Sequence, residues 1–275
     1  MHSFIPQVKK QDGQILLVVV LVMVIALTVG LSLASRSITN LKTTTEESNS
    51  QKAFSAAEAG IERTLKNPTP IPIAQDLGNN AQIQSVSIDP INGSELVLNN
   101  GNPIPQDDGI DLWLSDYSPS LSQAYQNPWS GKLLVYWGSK TGCSDAALEI
   151  IILSGTKLAP TIQRYAVDAC SARTAVNHFS LISGGGKTIN TTVFTFGTSL
   201  QVTNGLIAHI VPLYAGTPLG FVGQDSNGIE KSLPAQGKIF SAIGKAGNTV
   251  RKISYFQLYD SIPSEYYYAL FQTKQ

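Results

Sequence analysis

The feature that most constrains this chain is a long apolar run near its N-terminus. Between Ile15 and Ala34 there is no charged residue, and the run covers about 20 positions. A helix of that length spans a hydrocarbon core of roughly 30 Å. A secretory signal has a shorter apolar region, of about 7–15 residues, followed by small residues at a cleavage site. The run therefore predicts a single transmembrane helix over residues 15–34.

The charges around the apolar run indicate its orientation. Lys9 and Lys10 precede the run, which favours an N-terminus on the cytoplasmic side of the membrane. Arg36 and Lys42 follow the run and weaken this asymmetry. The predicted location is the cytoplasmic membrane, with the rest of the chain outside the cytoplasm.

The helical pattern continues well beyond the membrane-spanning run. From Gln14 to Asn67 the chain has no proline, and Asn67 precedes a proline, which disfavours further helix. We predict one helix over residues 14–66, about 80 Å long at 1.5 Å per residue. Apolar side chains recur at three- and four-residue steps, which is typical of one helix face: Phe54, Ala57, Ile61 and Leu65. Helix propensity is lowest at Gly30 and at Thr43–Thr45, where we expect bending or local opening.

A family resemblance follows from the order of these features. A short basic leader, Gly13, the uncharged run and a polar helix with the sequence AFSAAEAGIE succeed one another. This arrangement resembles the N-terminus of type IV pilin-like proteins, and most closely that of the PilX-type minor pilins. The resemblance covers roughly residues 9–66, and AAEAG at residues 56–60 is its most specific part.

The resemblance implies a processing step and a set of partners. In this family a prepilin peptidase cuts on the cytoplasmic side after the glycine. For this chain that places the cut between Gly13 and Gln14 and makes residues 1–13 a leader peptide. The implied partners are the peptidase, other pilins and the pilus assembly platform. The apolar helix is then first a membrane anchor and later a packing element in a filament core, on the cell surface.

Two positions depart from the pattern of the major pilins. Those proteins usually begin the mature chain with phenylalanine, where this chain has Gln14. They also carry a glutamate five residues into the mature chain, where this chain has Val18. In the family that glutamate is thought to pair with the amino terminus of a neighbouring subunit, because a carboxylate in an apolar environment is costly unless paired. Its absence favours an accessory subunit over the most abundant one.

The alternative function is a single-pass, membrane-anchored adhesin or other β-rich binding module on a coiled stalk. Hydropathy alone does not separate this alternative from a pilin. Processing of the leader does separate them, because only the pilin needs the cut after Gly13. The ligand of the outer domain is not indicated by the sequence in either case.

The chain after the helix has the composition of a β-rich domain. Residues 67–131 are rich in turn-forming residues, and strand-length runs of Val, Ile, Leu and Tyr follow from about residue 132. We predict an α+β protein in which residues 67–275 form a mainly antiparallel β domain. A turn is expected at the glycine triplet Gly184–Gly186, so the domain either divides into two lobes near residues 175–187 or continues as one. A hairpin is predicted around KAGN, residues 245–248.

The two cysteines, Cys143 and Cys170, are predicted to form a disulfide. An even number of cysteines in an exported chain favours a bridge, and two buried free thiols are the alternative. The strand-like runs GKLLVYWGS, ALEIIILSG and TIQRYAVDAC would place both cysteines near one sheet edge if they form an antiparallel meander. The bridge would close a loop of about 27 residues and contribute roughly 3 kcal/mol.

No catalytic, cofactor-binding or metal-binding pattern stands out, so an enzyme and a cofactor are not predicted. His178 and His209 have no cysteine or acidic residue at ligand spacing, and the glycine triplet lacks the spacing of a phosphate loop. The 19 basic and 19 acidic residues balance, which gives no overall attraction to nucleic acid. Acidic residues in loop-like stretches are expected to be solvated: Asp107, Asp108, Asp111, Asp225 and Glu230. Tyr266–Tyr268 are expected to be ordinary strand aromatics.

Overall fold

The computed structural model describes residues 12–72, 74–120, 123–140, 142–263 and 267. Within them, one long helix is followed by mostly antiparallel strands in a four-stranded and a nine-stranded sheet, so the predicted α+β class is confirmed. The helices are α1 (Asp12–Lys66) and α2 (Ser171–Asn177). The strands are β1 (Gln75–Gly78), β2 (Ala81–Pro90), β3 (Glu95–Val97), β4 (Ile110–Trp113), β5 (Trp129–Trp137), β6 (Ala147–Thr156), β7 (Ala159–Asp168), β8 (Ser180–Leu181), β9 (Gly184–Ile189), β10 (Thr192–Leu213), β11 (Leu219–Gln224), β12 (Gly237–Ala246) and β13 (Thr249–Leu258).

The chain forms two compact units. The first holds the chain up to Ser87 together with Ser241–Ser254, and the second holds Ile88–Phe240 together with the chain from Tyr255 onward. Residues 175–187, where the sequence suggests a lobe boundary, lie inside the second unit.

The glycine triplet is a strand, not the predicted turn. Gly184–Gly186 begin β9, which pairs antiparallel with β10. A Cβ built on Gly186 would lie 2.0 Å from the carbonyl oxygen of Phe194. Glycine is therefore required here for close approach of two backbones rather than for a reversal of the chain.

Helix α1 (Asp12–Lys66) is continuous over 55 residues and contains the whole of the helix predicted over residues 14–66. Neither Gly30 nor the threonine run interrupts it. Each of four threonine hydroxyls donates a hydrogen bond to the carbonyl four residues earlier, which keeps the hydroxyl satisfied inside the helix: Thr39, Thr43, Thr44 and Thr45. The helix from Leu16 onward is long and apolar enough to cross a membrane.

The C-terminal part of α1 packs on the sheet of the first unit through small residues. The predicted apolar face is wrong at two positions, because Phe54 is 47% and Leu65 38% exposed. The buried residues are Ala53, Ala56, Ala57, Gly60, Ile61 and Thr64. A Cβ on Gly244 of β12 would lie 2.0 Å from the carbonyl oxygen of Ala53, so the helix backbone lies directly against that strand. Small side chains, not bulky ones, allow this approach.

The large sheet of the second unit has the strand order β3-β11-β5-β10-β6-β7-β8, with β4 and β9 also paired to β10. The predicted three-strand meander is therefore wrong in one pairing, because β10 lies between β5 and β6, whereas β6 and β7 form the expected antiparallel hairpin. Strand β10 has 22 residues and continues through Asn204, which has a φ of 51°, with a shift in register at that point. Such a bulge bends the strand without ending it.

The core of the second unit lies on this sheet and consists of fully buried aliphatic and aromatic side chains. The largest include Leu133, Trp137, Leu148, Ile150, Ile152 and Phe221. Strands β12 and β13 are neighbours in the smaller sheet, and the turn between them contains Gly247 with a φ of 55°, as the KAGN motif predicts.

Candidate functional site

The predicted cleavage position lies at the start of α1. Gly13 and Gln14 belong to the first turn of the helix. Lys9 and Lys10, the charges of the predicted leader, lie outside the described residues.

The helix segment from residue 16 to residue 34, here the apolar helix segment, exposes more than a dozen large apolar side chains. Their exposed fractions range from 47% at Val19 to 69% at Leu16, and Val18 is 55% exposed. Exposure on every side of a helix is typical of a segment that is surrounded by lipid or by other helices. Burial of each such side chain contributes about 1.5–3 kcal/mol. The segment can therefore serve as a membrane anchor or as a packing surface for further helices.

The sulfur atoms of Cys143 and Cys170 are joined in a disulfide, the pair that the sequence predicts. The hairpin of β6 and β7 brings them together, because Leu148 near the start of β6 pairs with Val167 near the end of β7. Cys143 precedes β6 and Cys170 follows β7, and their Cα atoms are 4.7 Å apart. The correct β6–β7 pairing is sufficient for the bridge, although the predicted neighbour β5 is not in the hairpin.

An arginine that sequence reasoning missed fixes both ends of this hairpin. The guanidinium of Arg173 donates two hydrogen bonds to the carboxylate of Asp168, at 2.9 and 2.8 Å. It also donates to the carbonyl oxygens of Cys143, at 3.0 Å, and of Asp145, at 2.8 Å. The same group lies over the ring of Tyr214, 4.7 Å from its centroid. The only feature of the sequence that points to this role is that Arg173 lies three residues after Cys170.

Asp168 is fully buried. Burial by itself raises the pKa of this carboxyl. Hydrogen bonds from Arg173, the Cys170 amide and Asn177, together with the charge of Arg173, outweigh the effect of burial, so the pKa is lowered. The ionised form is therefore the one that the fold selects. All the hydrogen bonds of Arg173 go to groups of the same chain, so the arrangement is structural and holds the residues around the disulfide in place.

A second buried cluster joins Asp111, His209 and Tyr267, and it corrects two expectations from the sequence. Asp111 is buried rather than solvated, and it lies 2.7 Å from the Nδ1 atom of His209. His209 thus has an acidic partner, which is 98 positions away in the chain and cannot be found by local spacing. The hydroxyl of Tyr267 donates to the Asp111 carboxylate at 2.9 Å, and the amide of Ile262 does so at 2.7 Å.

This cluster holds Ile262 and Tyr267, which follow β13, against the sheet of the second unit. The rings of His209 and Tyr267 stack with centroids 4.0 Å apart, and Arg164 donates to the carbonyl oxygen of Tyr267 at 2.9 Å. Burial and the nearby Asp111 raise the pKa of Tyr267, so its hydroxyl stays protonated and donates. The side chains of His209 and Asp111 are fully or almost fully buried, so the cluster belongs to the interior of the second unit. Tyr266 and Tyr268 lie outside the described residues.

Two of the other acidic candidates, Asp108 and Asp225, are turn residues. The carboxylate of Asp108 accepts the amide of Gly109, and that of Asp225 accepts the amides of Asn227 and Ile229. Within the described ranges, no group of three or more histidine, cysteine, aspartate or glutamate side chains is placed to hold a metal ion.

Comparison with known protein families, with curated proteins and with solved structures finds no match to this chain.

Proposed function

We propose that this chain is a minor, accessory subunit of a type IV pilus or of a related secretion pseudopilus. One observation supports this role above all. A single unbroken helix carries the apolar helix segment at one end and, at the other, a face of small residues held against the sheet of the first unit. Such a helix rigidly couples a membrane-spanning segment to folded structure, which a filament subunit requires.

Removal of the leader is the step that lets the helix change its surroundings. With Lys9 and Lys10 attached, the N-terminus favours the cytoplasmic face of the membrane. Moving a lysine to the centre of a bilayer costs about 2.5–3.5 kcal/mol on insertion scales. Cleavage after Gly13 by a prepilin peptidase removes these charges, and the apolar helix segment then exchanges lipid for neighbouring helices in a filament.

The residue at position 18 determines which neighbour the chain accepts. Val18 has no carboxylate to receive the amino terminus of an adjacent subunit. The amine freed at Gln14 can still pair with a glutamate of a different pilin. The chain therefore joins filaments built mainly from another, glutamate-bearing subunit, with help from the assembly platform.

The mature N-terminus tests this function. Mass spectrometry of the membrane fraction should find Gln14 as the first residue when a prepilin peptidase is present. Gly13→Ala should keep the leader, and Gly30→Ala, a glycine of the same helix with open space around it, should be processed normally. An intact leader in the unaltered chain, or a cut near Ala34, would contradict the pilin role.

The second candidate is a single-pass anchor that carries a β-rich adhesin or binding module. It is favoured by the length and apolar character of the helix, which suffice for a plain anchor. Such a protein keeps its leader and remains in the membrane. The same measurement of the mature N-terminus therefore separates the two candidates.

A further inference from the structure

Four aromatic side chains of the second unit meet beyond the end of β4, close to the point where the chain leaves β13. The rings of Tyr117 and Tyr259 are stacked with centroids 4.1 Å apart, and Trp113 stacks on Tyr125 at 5.7 Å. The Trp113 ring also meets Tyr117 edge-on at 4.9 Å. Trp113 is buried, whereas the three tyrosines are half-buried and reach the surface. These four residues are called the aromatic cluster below.

A cleft of about 250 Å³ opens beside the aromatic cluster. Tyr117, Pro119 and Tyr259 form its more apolar side. The polar part consists of three exposed side chains: Lys238, Gln257 and Asp260. The hydroxyl of Tyr117 donates to the Asp260 carboxylate at 3.1 Å and so holds it beside the rings.

A second cleft, of about 270 Å³, also borders Tyr259. Leu258 and Tyr259 line both clefts. The second is lined in addition by amide and carboxylate side chains: Asn99, Asp108, Asp111 and Gln236. Two small polar clefts thus share one aromatic side chain.

This combination of groups matches the chemistry of a sugar ring. A sugar has apolar C–H faces, which pack on aromatic rings, and a rim of hydroxyls that both donate and accept hydrogen bonds. Lys238 supplies donors, Asp260 supplies acceptors and Gln257 supplies both. Because the lysine and the aspartate carry opposite charges, the first cleft has no net charge and favours a neutral ligand.

We propose that the cleft beside the aromatic cluster binds a neutral saccharide. One sugar ring packs against the tyrosines, and its hydroxyls bond to Asp260, Gln257 and Lys238. Each cleft is smaller than the roughly 300 Å³ at which pockets for drug-sized ligands begin, so each admits a single sugar residue. The second cleft receives the next residue of the glycan. This site does not depend on the pilin role, since an anchored binding module would use it equally.

Other ligand classes fit these groups less well. A phosphate-bearing ligand requires an excess of positive charge, whereas the first cleft contains Asp260 as well as Lys238, and the second contains Asp108. A purely apolar ligand would strip water from Lys238 and Asp260 without replacing their hydrogen bonds, which is costly. A quaternary ammonium requires open aromatic faces around it, but Tyr117 and Tyr259 cover one face of each other.

Binding should be measured on the full-length protein in lipid nanodiscs, because glycoside detergents would compete for the cleft. The probes are immobilised neutral oligosaccharides of glucose, galactose, mannose and N-acetylhexosamines, with sialylated and sulfated oligosaccharides for comparison. We expect saturable binding of at least one neutral oligosaccharide, with a change in tyrosine and tryptophan fluorescence.

Matched variants locate that binding in the cleft. Asp260→Asn keeps the shape of the side chain and should weaken binding about tenfold, because a hydrogen bond to a charged group is lost. Gln257→Ala should also weaken it, whereas Gln201→Ala, at an exposed glutamine of β10, should not. Likewise Lys238→Ala should weaken binding, and Lys132→Ala, at an exposed lysine of β5, should leave it unchanged. Near-ultraviolet circular dichroism checks that each variant is folded.

Absence of saturable binding to every neutral oligosaccharide would overturn the proposal. So would equal binding by the cleft variants and their controls, or binding confined to charged glycans. The mature N-terminus is measured independently, so failure of this site leaves the proposed function in place, and the reverse also holds.

Discussion

At the scale of single residues, the side chain of Arg173 makes several structural contacts that no sequence motif predicts. Its side chain pairs with the buried Asp168 and binds the carbonyl oxygens of Cys143 and Asp145. Removing one partner of a buried pair leaves the other charge without compensation, which costs more than the pair itself contributes. The arginine therefore holds the disulfide-bonded end of the β6–β7 hairpin in one conformation.

We expect Arg173→Ala to destabilise the second unit by about 3 kcal/mol, since Asp168 remains buried without its counter-ion. Lys132→Ala, at an exposed position of β5, should change stability by less than about 0.5 kcal/mol. All three tryptophans, at positions 113, 129 and 137, lie in the second unit, so tryptophan fluorescence during urea unfolding reports on it. Equal midpoints for the two variants would show that the arginine is not structurally important.

The lowered pKa of Asp168 predicts a pH dependence of stability with a definite sign. A carboxyl whose pKa is lower in the folded than in the unfolded state stabilises the fold above the unfolded value, which is about 3.9. That contribution is lost as the pH falls through the folded value. Between about pH 5 and pH 2 the unaltered protein should therefore lose stability more steeply than Asp168→Asn. Parallel curves of urea midpoint against pH for the two proteins would contradict this.

At the scale of elements, the contact between α1 and the sheet of the first unit depends on the absence of side chains. Gly244 of β12 leaves room for the helix backbone at Ala53, and Gly60 leaves room for Ile83 and Val86 of β2. This close fit explains why the larger residues Phe54 and Leu65 lie on the exposed side of the helix. A methyl group added at Gly244 would overlap with the helix backbone.

Gly244→Ala should displace α1 from the sheet and cost about 1–3 kcal/mol through overpacking. The matched control is Gly185→Ala in β9, where a Cβ meets nothing within 4 Å. Hydrogen exchange should become faster in the amides of residues 51–66 for the first variant and stay unchanged for the second. Normal protection of those amides in Gly244→Ala would refute the close contact.

The disulfide also depends on a single element pair, because the β6–β7 hairpin brings its two cysteines together. It links positions separated by 27 residues, and its loss should cost about 3 kcal/mol by loop entropy. Cys143→Ser with Cys170→Ser should lower the urea midpoint of the second unit accordingly. In the native chain neither thiol should react with an alkylating agent before a reductant is added, and alkylation of both would rule the bridge out.

At the scale of the whole molecule, the proposed role is set by what the apolar helix segment lacks. In the proposed pilin role, Val18 stands where a major pilin carries a glutamate, so the chain would offer no partner to a neighbour's amine. After the proposed cleavage it would still donate its own amine from Gln14. We therefore expect a subunit present in small numbers beside a different major pilin.

Quantitative mass spectrometry of sheared filaments measures this stoichiometry. The chain should be far less abundant than a glutamate-bearing pilin, and Val18→Glu should raise its share. Val20→Glu places the same carboxylate where no amine is expected, and it should not raise that share, because an unpaired carboxylate in an apolar environment is costly. If this chain were the most abundant subunit, the accessory role would be wrong. Its absence from filaments and assembly complexes would favour the anchored module.

Features that depend on neighbours along the chain could be predicted from the amino-acid sequence. Composition, periodicity and short loops predict the extent of α1, the β6–β7 and β12–β13 hairpins and the pairing of Cys143 with Cys170. Three other features could not be predicted and become apparent only in the folded chain: the position of β10 between β5 and β6, the strand at Gly184–Gly186 and the buried contact of Asp111 with His209. The physical reason is that local propensity acts over a few residues. Distant strands and charges pair according to which backbone edges, volumes and hydrogen-bonding groups fit once the chain has folded.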